Sequence, residues 1–429
     1  MKNLILIDCH DLGRYLGCYG RETIPSPNLD AIAEAGVRFD NAFCTAPQCS
    51  PSRAALYTGR YPHANGMLGL AHPPFAWGLH PDEEHLAARL QRAGYHTGLI
   101  GAQHVAPQDE QSVRQLGFDA VYPCAESAHI PELTEDFLAA RPDQPFFLNI
   151  GFTDPHRDGQ GRYGQAPPDS SLGVDVPAYL PQTQEAAEEF ARFQGVVRQM
   201  DAAIGRIVAS LQASDLLEES WLIFVTDHGI AMPRAKCTLY DAGLEIALIM
   251  LSPPLGLTGG RVYNELISNV DVTPAILDML HIPASDNLQG RSFAPLLRGE
   301  AYTPREAVFA EKTFHTAYEP QRAVRSNSHK LIWNGETDIM NVPGDVMRSP
   351  IYPQMIDEII AERPPFELYD LRADPFERVN LFDRPEAQAV RADLIRRLRN
   401  WMTETRDPLL DGPIASPYYR GSRQRLFQL

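Results

Sequence analysis

Leu4-Ile5-Leu6-Ile7-Asp8-Cys9-His10-Asp11 is an apolar run that breaks off into two carboxylates and an imidazole. The run does not alternate with polar residues, so it reads as a strand buried on both faces, the mark of a parallel sheet covered by helices. Residues 97–100, 146–152, 221–226 and 246–251 have the same texture. Helical patterns separate them at 28–35, 83–93, 185–211 and 272–280. The expected fold is therefore α/β: a mainly parallel sheet sandwiched by helices. In such sheets ligands bind beyond the carboxyl ends of the strands, which is where Asp8 and Asp11 fall. Asp227-His228-Gly229 follows the 221–226 strand in the same way.

The chain has 429 residues, 44% of them apolar, enough for a large core and a smaller second unit. The texture changes near Thr303. Residues 323–326 and 330–333 read as a hairpin, 367–370 as a strand and 391–403 as a late amphipathic helix. The expected division is a catalytic domain over 1–302 and a small α+β subdomain over 303–429 packed on it. A proline- and glycine-rich stretch, 154–181, reads as a long loop over the sheet. The net charge of −17 argues against nucleic acid and anionic membranes as partners, and any anionic ligand needs a local positive pocket. The opening apolar run is too short for a secretion signal, and no membrane-spanning run is present. With six cysteines in so long a chain, no disulfide framework is expected and a reducing cytoplasm fits.

Oxygen ligands from Asp8, Asp11 and Asp227 suit a hard divalent cation, with His228 adding a nitrogen. Taken singly, each aspartate is more often a turn or cap residue than a ligand. Two acidic clusters at equivalent strand ends favour a metal. A second constellation is Cys49-Ser50-Pro51-Ser52-Arg53-Ala54-Ala55-Leu56-Tyr57-Thr58-Gly59-Arg60. It sets a thiol and an always-charged guanidinium one turn apart at a helix start, a natural place for an anion.

The twelve-residue pattern C-x-P-S-R-x-x-x-x-T-G-R resembles the signature of the type I sulfatases. The resemblance implies an alkaline-phosphatase-like fold and oxidation of Cys49 to formylglycine by a maturation enzyme. It also implies a Ca²⁺ site, or one for Mg²⁺ or Mn²⁺, drawn from Asp8, Asp11, position 49, Asp227 and His228. Family members usually open with two adjacent aspartates. Here the pair is split, and the sequence leaves open whether Asp8, Asp11 or both hold the ion. Gly101-Ala102-Gln103-His104 resembles the family's Gly-Lys-x-His element, with alanine where a sulfate-binding lysine usually stands. Asp154-Pro155-His156-Arg157 and Lys236-x-x-x-Tyr240-x-x-Gly243 resemble two further elements. The implied catalytic set is Cys49, Arg53, His104, His156 and Lys236. Asn65–Leu70, 145–148 and 367–370 look closest to the heparan N-sulfatases, or sulfamidases, which act on N–S bonds and are often dimers. The expected reaction is hydrolysis of a sulfate ester or sulfamate of a sugar or small organic sulfate. Two rivals stand beside it: a phosphonate or phosphate ester hydrolase on the same scaffold, and a silent sulfatase-like binding protein, suggested by Ala102.

Overall fold

The computed structural model describes residues 2–140, 144–337 and 342–428. Its strands, in chain order, are β1 (Asn3–Cys9), β2 (Val37–Phe39), β3 (Ala42–Phe43), β4 (His96–Gly101), β5 (Ala120–Tyr122), β6 (Phe146–Gly151) and β7 (Ser220–Thr226). They continue with β8 (Leu248–Leu251), β9 (Arg261–Tyr263), β10 (Ile267–Ser268), β11 (Ala307–Phe314), β12 (Tyr318–Ser326), β13 (His329–Asn334) and β14 (Phe366–Asp370). Eight of them form one sheet in the order β5-β4-β6-β1-β7-β8-β2-β9. Only β8 runs against its neighbours, β7 and β2. β3 and β10 make a separate parallel pair.

Both faces of the sheet are buried, which is why its strands lack alternation. Leu4, Leu6, Trp221, Ile223 and Met250 face one layer, with helices α2 (Cys49–Thr58), Leu86–Arg92 and Val272–Met279. Ile5, Ile7, Leu222, Phe224 and Ile249 face the other, with α1 (Pro27–Ala35) and the long helix Gln184–Ala213. The apolar residues of that long helix at 3.6-residue spacing (Phe190, Phe193, Val197, Met200, Ile204) are core, as their periodicity predicts.

Register decides where the site lies. β1 is parallel to both β6 and β7, so Asp8 sits beside Gly151 and Val225, and Cys9 beside Thr226. β4 is parallel to β6 and ends with Gly101 beside Gly151. Four strand ends therefore open onto one place. At Gly151 a Cβ would lie 1.8 Å from the carbonyl oxygen of Ala102, so only glycine lets the two chains leave the sheet this close together.

β11–β14 form an antiparallel sheet of their own. Val308, Ala310, Ala323 and Ile332 join the main core, while Val324, Leu331 and Leu368 pack on helix Gln388–Glu404 through Leu394, Leu398 and Trp401. The main chain of Glu311 donates to Thr45 at 2.8 Å, tying β11 to the approach of α2. The hairpin extends further than its sequence pattern predicts, and β11 precedes it unannounced. All six cysteines are free thiols. Among the described residues no helix is long and apolar enough to cross a membrane.

Candidate active site

Cys49 opens α2, and all ten residues of that helix are buried. Its Sγ lies 3.4 Å from His228 Nε2. Arg53, four residues on, shares the same helix face. Its Nε is 3.3 Å from Asp227 Oδ2, its Nη1 meets Asp8 Oδ1, and its Nη2 donates to the carbonyl of Cys9 at 3.0 Å. The other oxygen of Asp8 accepts from Tyr57 Oη and from Asn149 Nδ2 at 2.7 Å. The first aspartate is thus enclosed by Arg53, Tyr57 and Asn149.

Asp11 takes a left-handed backbone, φ +51°, uncommon for a residue with a Cβ and frequent at functional sites. That turn brings its N–H to Asp227 Oδ1 at 3.0 Å and its Oδ1 to within 3.3 Å of His228 Nε2. Its Oδ2 accepts from Lys236 Nζ at 2.8 Å. Lys236 Nζ also lies 3.2 Å from His156 Nε2 and donates to Asp345 Oδ2 at 2.7 Å. His104 is likewise left-handed, φ +59°, with its ring centroid 4.8 Å from that of His10. The sequence-predicted residues Asp8, Asp11, Cys49, Arg53, His104, His156, Asp227, His228 and Lys236 form one contiguous group. Ala102 is buried, with its N–H on the carbonyl of Gly151 at 3.0 Å, so position 102 contributes no charge.

Three neighbours escaped the sequence reading. Tyr57 continues the Cys49–Arg53 face by another turn. Asn149 was signalled by being the polar residue inside Phe146–Gly151. Asp345 stands in Gly344–Met347, a short helix with no periodic pattern around it.

Burial pushes the Cys49 thiol well above its ordinary range, so the unmodified side chain is protonated and a weak nucleophile. Burial alone would raise the Asp227 carboxyl, but the neighbouring His228 imidazole, the Arg53 guanidinium and the His10 side chain hold it well below the usual carboxylate range. For Lys236 burial works toward the neutral amine, and Asp11 and Asp345 overcome it, so the ammonium persists. Burial keeps His10 neutral and brings His104 down to about 3.

The donor set fits a divalent cation. His10, Asp11, Cys49 and Asp227 present ligand atoms all within 4.8 Å of one another, and buried Asp11 Oδ1 has no hydrogen-bond partner. Two carboxylates in the set suit a hard ion.

His85 and His315, like His104, are held at about 3 by burial, against an ordinary value of 6.5. Below pH 6.5 the unfolded chain binds protons at these sites that the folded chain refuses, so stability falls with falling pH from 6.5 toward 3. Each site contributes on the order of 1 kcal/mol per pH unit in that window. A thermal melt followed from pH 7.5 to 5 should show a steep decline, and a flat profile would refute the neutral assignment.

The Sulfatase family profile matches residues 2–282, and a profile for the N-sulphoglucosamine sulphohydrolase C-terminal region matches 233–342. N-sulphoglucosamine sulphohydrolase of Homo sapiens is 30% identical over 470 residues, covering 96% of this chain and 92% of that protein. An ulvan-active sulfatase of Formosa agariphila is 28% identical, covering 99% of this chain and 84% of its own. A structure solved in complex with its substrate D-glucosamine-2-N,6-O-disulfate shares the fold, with a TM-score of 0.72 at 19% identity, covering 95% of this chain and 98% of that chain. With the family profile spanning more than half of its length, the chain belongs to the sulfatases and is a hydrolase of that family.

Proposed function

We propose that this hydrolase cleaves a sulfate ester or sulfamate carried on a sugar, with position 49 as nucleophile. One observation supports this above the rest: Cys49, Asp11, Asp227 and His10 come within 4.8 Å of one another, with Lys236 bonded to that Asp11. Resemblance to the human sulphohydrolase and the ulvan-active sulfatase supports a sugar-borne substrate.

In this reading Asp11, Asp227 and position 49, with Asp8 and His228 around them, hold a divalent cation such as Ca²⁺. When bound, such an ion would supply Lewis-acid charge to the sulfuryl group and acidity to a hydroxyl at position 49. Formylglycine, made from Cys49 by a separate maturation enzyme, supplies that hydroxyl in its hydrated form. The chain's own groups do the rest. Arg53 and Lys236 offset the charge of the sulfuryl group before and during attack, from fixed positions that need no reorganisation. Lys236 and His156, 3.2 Å apart, stand ready to give a proton to the departing oxygen or nitrogen. His104, neutral and with Nδ1 unpartnered, can accept one. Burial of Arg53 and Lys236 keeps water from their charges and strengthens their interactions, while His156 is half-buried at the mouth.

The reading is tested by mass spectrometry of the peptide spanning residue 49, from protein made in its native host, together with turnover of N-sulfoglucosamine and an aryl sulfate. Formylglycine with turnover is the expected result, and an unmodified thiol with none would favour a binding protein. An aryl phosphonate turned over faster than the aryl sulfate would favour the phosphonate rival. Asp227→Ala should weaken divalent-ion binding by more than about 100-fold, as a lost direct ligand exceeds the usual effect of its supports. Elemental analysis after dialysis checks this, and unchanged metal content would move the ion elsewhere.

A further inference from the structure

Asp345 is out of place in a pocket built for an anion. It reaches the site from the segment between β13 and β14, far along the chain from the strand ends. Its Oδ1 accepts from the N–H of Val346 at 2.9 Å, which fixes the carboxylate's orientation. Its Oδ2 lies 2.7 Å from Lys236 Nζ and 3.7 Å from His156 Nε2, and the side chain is 12% exposed. Lys236 does not need it as a counter-ion, because Asp11 Oδ2 already accepts from the same ammonium at 2.8 Å. A carboxylate held beside the two groups placed to protonate a leaving atom repels the oxygens of a sulfuryl group. It is favourable there only if the ligand brings its own donor or positive charge to that spot.

We infer that Asp345 is a specificity-determining acceptor that takes a hydrogen bond from an N–H on the substrate's sugar at the scissile bond, selecting sulfamates of amino sugars over sulfates that offer no donor. This rests on the sulfatase reading above. The same carboxylate then faces the amine that N–S cleavage leaves, which is an ammonium at neutral pH and suits Asp345 better still. Buried polar groups of this kind reject ligands that cannot pair with them, because the unpaired group loses water and gains nothing.

The experiment compares wild type, Asp345→Ala and Asp345→Asn. Asn keeps the volume and one acceptor oxygen, and so stands in if the alanine variant misfolds. The readouts are kcat/KM for N-sulfoglucosamine and for 4-nitrophenyl sulfate, and calorimetric binding of glucosamine and glucose. The expected result is a fall of about 10- to 100-fold in the ratio of the two kcat/KM values, mainly through the KM of the sulfamate. Asp345→Asn should fall less, and glucosamine should weaken while glucose changes little. If both substrates lose activity alike and the ratio holds, Asp345 acts only through Lys236 and the inference is overturned. An unmoved ratio with full activity overturns it equally. Should the wild type turn over neither substrate, the sulfatase reading fails on its own, and glucosamine binding still decides: weaker in the variants supports Asp345 as acceptor, equal affinity rejects it.

Discussion

Cys49→Ala is expected to lower turnover by on the order of 10⁵-fold, the size of effect seen when a covalent nucleophile is removed. The fold should survive, with the melting temperature shifted by a few degrees at most, because the change removes one sulfur atom from a wall otherwise made by neighbouring side chains. The two neighbours closest to hand are already engaged. His228 Nε2 sits 3.4 Å from the thiol but is held through Nδ1 against the carbonyl of Gly229 at 2.9 Å, and Ser52 is committed to the carbonyl of Asp227. Steady-state rates on purified protein, paired with a thermal melt, provide the measurement. Retained activity in a folded variant would remove position 49 from the chemistry.

Arg53→Ala should be the most destabilising change at the site. The guanidinium is fully buried between Asp8 and Asp227, and also caps the carbonyl of Cys9. Removing it leaves two buried carboxylates without their shared counter-ion, at a cost of about 3–5 kcal/mol. Tyr57 and Asn149 still hold Asp8, which keeps the loss from running higher. On the proposed mechanism turnover should fall by about 10²- to 10³-fold, since a fixed positive charge beside the nucleophile is gone. A divalent cation held as proposed would add positive charge beside Asp227, so added Ca²⁺ should restore part of the lost stability and a chelator should worsen it. Urea unfolding with and without the ion measures both. A loss under about 1 kcal/mol, or none that responds to the cation, would mean the carboxylates are neutralised by something else.

The centre of the fold was legible because its strands are buried on both faces, and an unbroken apolar run of that length has few other uses. The edges were not. Val37–Phe39, Ala120–Tyr122 and Arg261–Tyr263 are three residues each, too short to show any period. β11 was hidden for a different reason. Glu311 and Lys312 interrupt its pattern, yet both are buried, Glu311 against His63 at 2.8 Å and Lys312 against Glu319 at 2.8 Å. Ion pairs that form only on folding cannot be read from one strand. The site divides along the same line. Asp8, Asp11, Asp227 and Arg53 announced themselves through strand ends and helix spacing. Between Asp8 and Asp11 the difference is one of geometry: the left-handed turn at Asp11 swings its carboxylate into the group with Cys49 and Asp227, while Asp8 meets Arg53. Asp345 had no local signature, since its meaning comes from the lysine it meets across 109 residues of sequence.

Residue 49 has 2% of its surface in contact with solvent once the chain has folded. A second protein's catalytic centre cannot grip a backbone that already winds as the first turn of a covered helix. If Cys49 is converted as proposed, the enzyme that does it would have to act while the segment is still extended, in the interval between synthesis and collapse. Timing during biogenesis, more than the amount of finished protein, would then govern how many molecules in a preparation carry the converted residue.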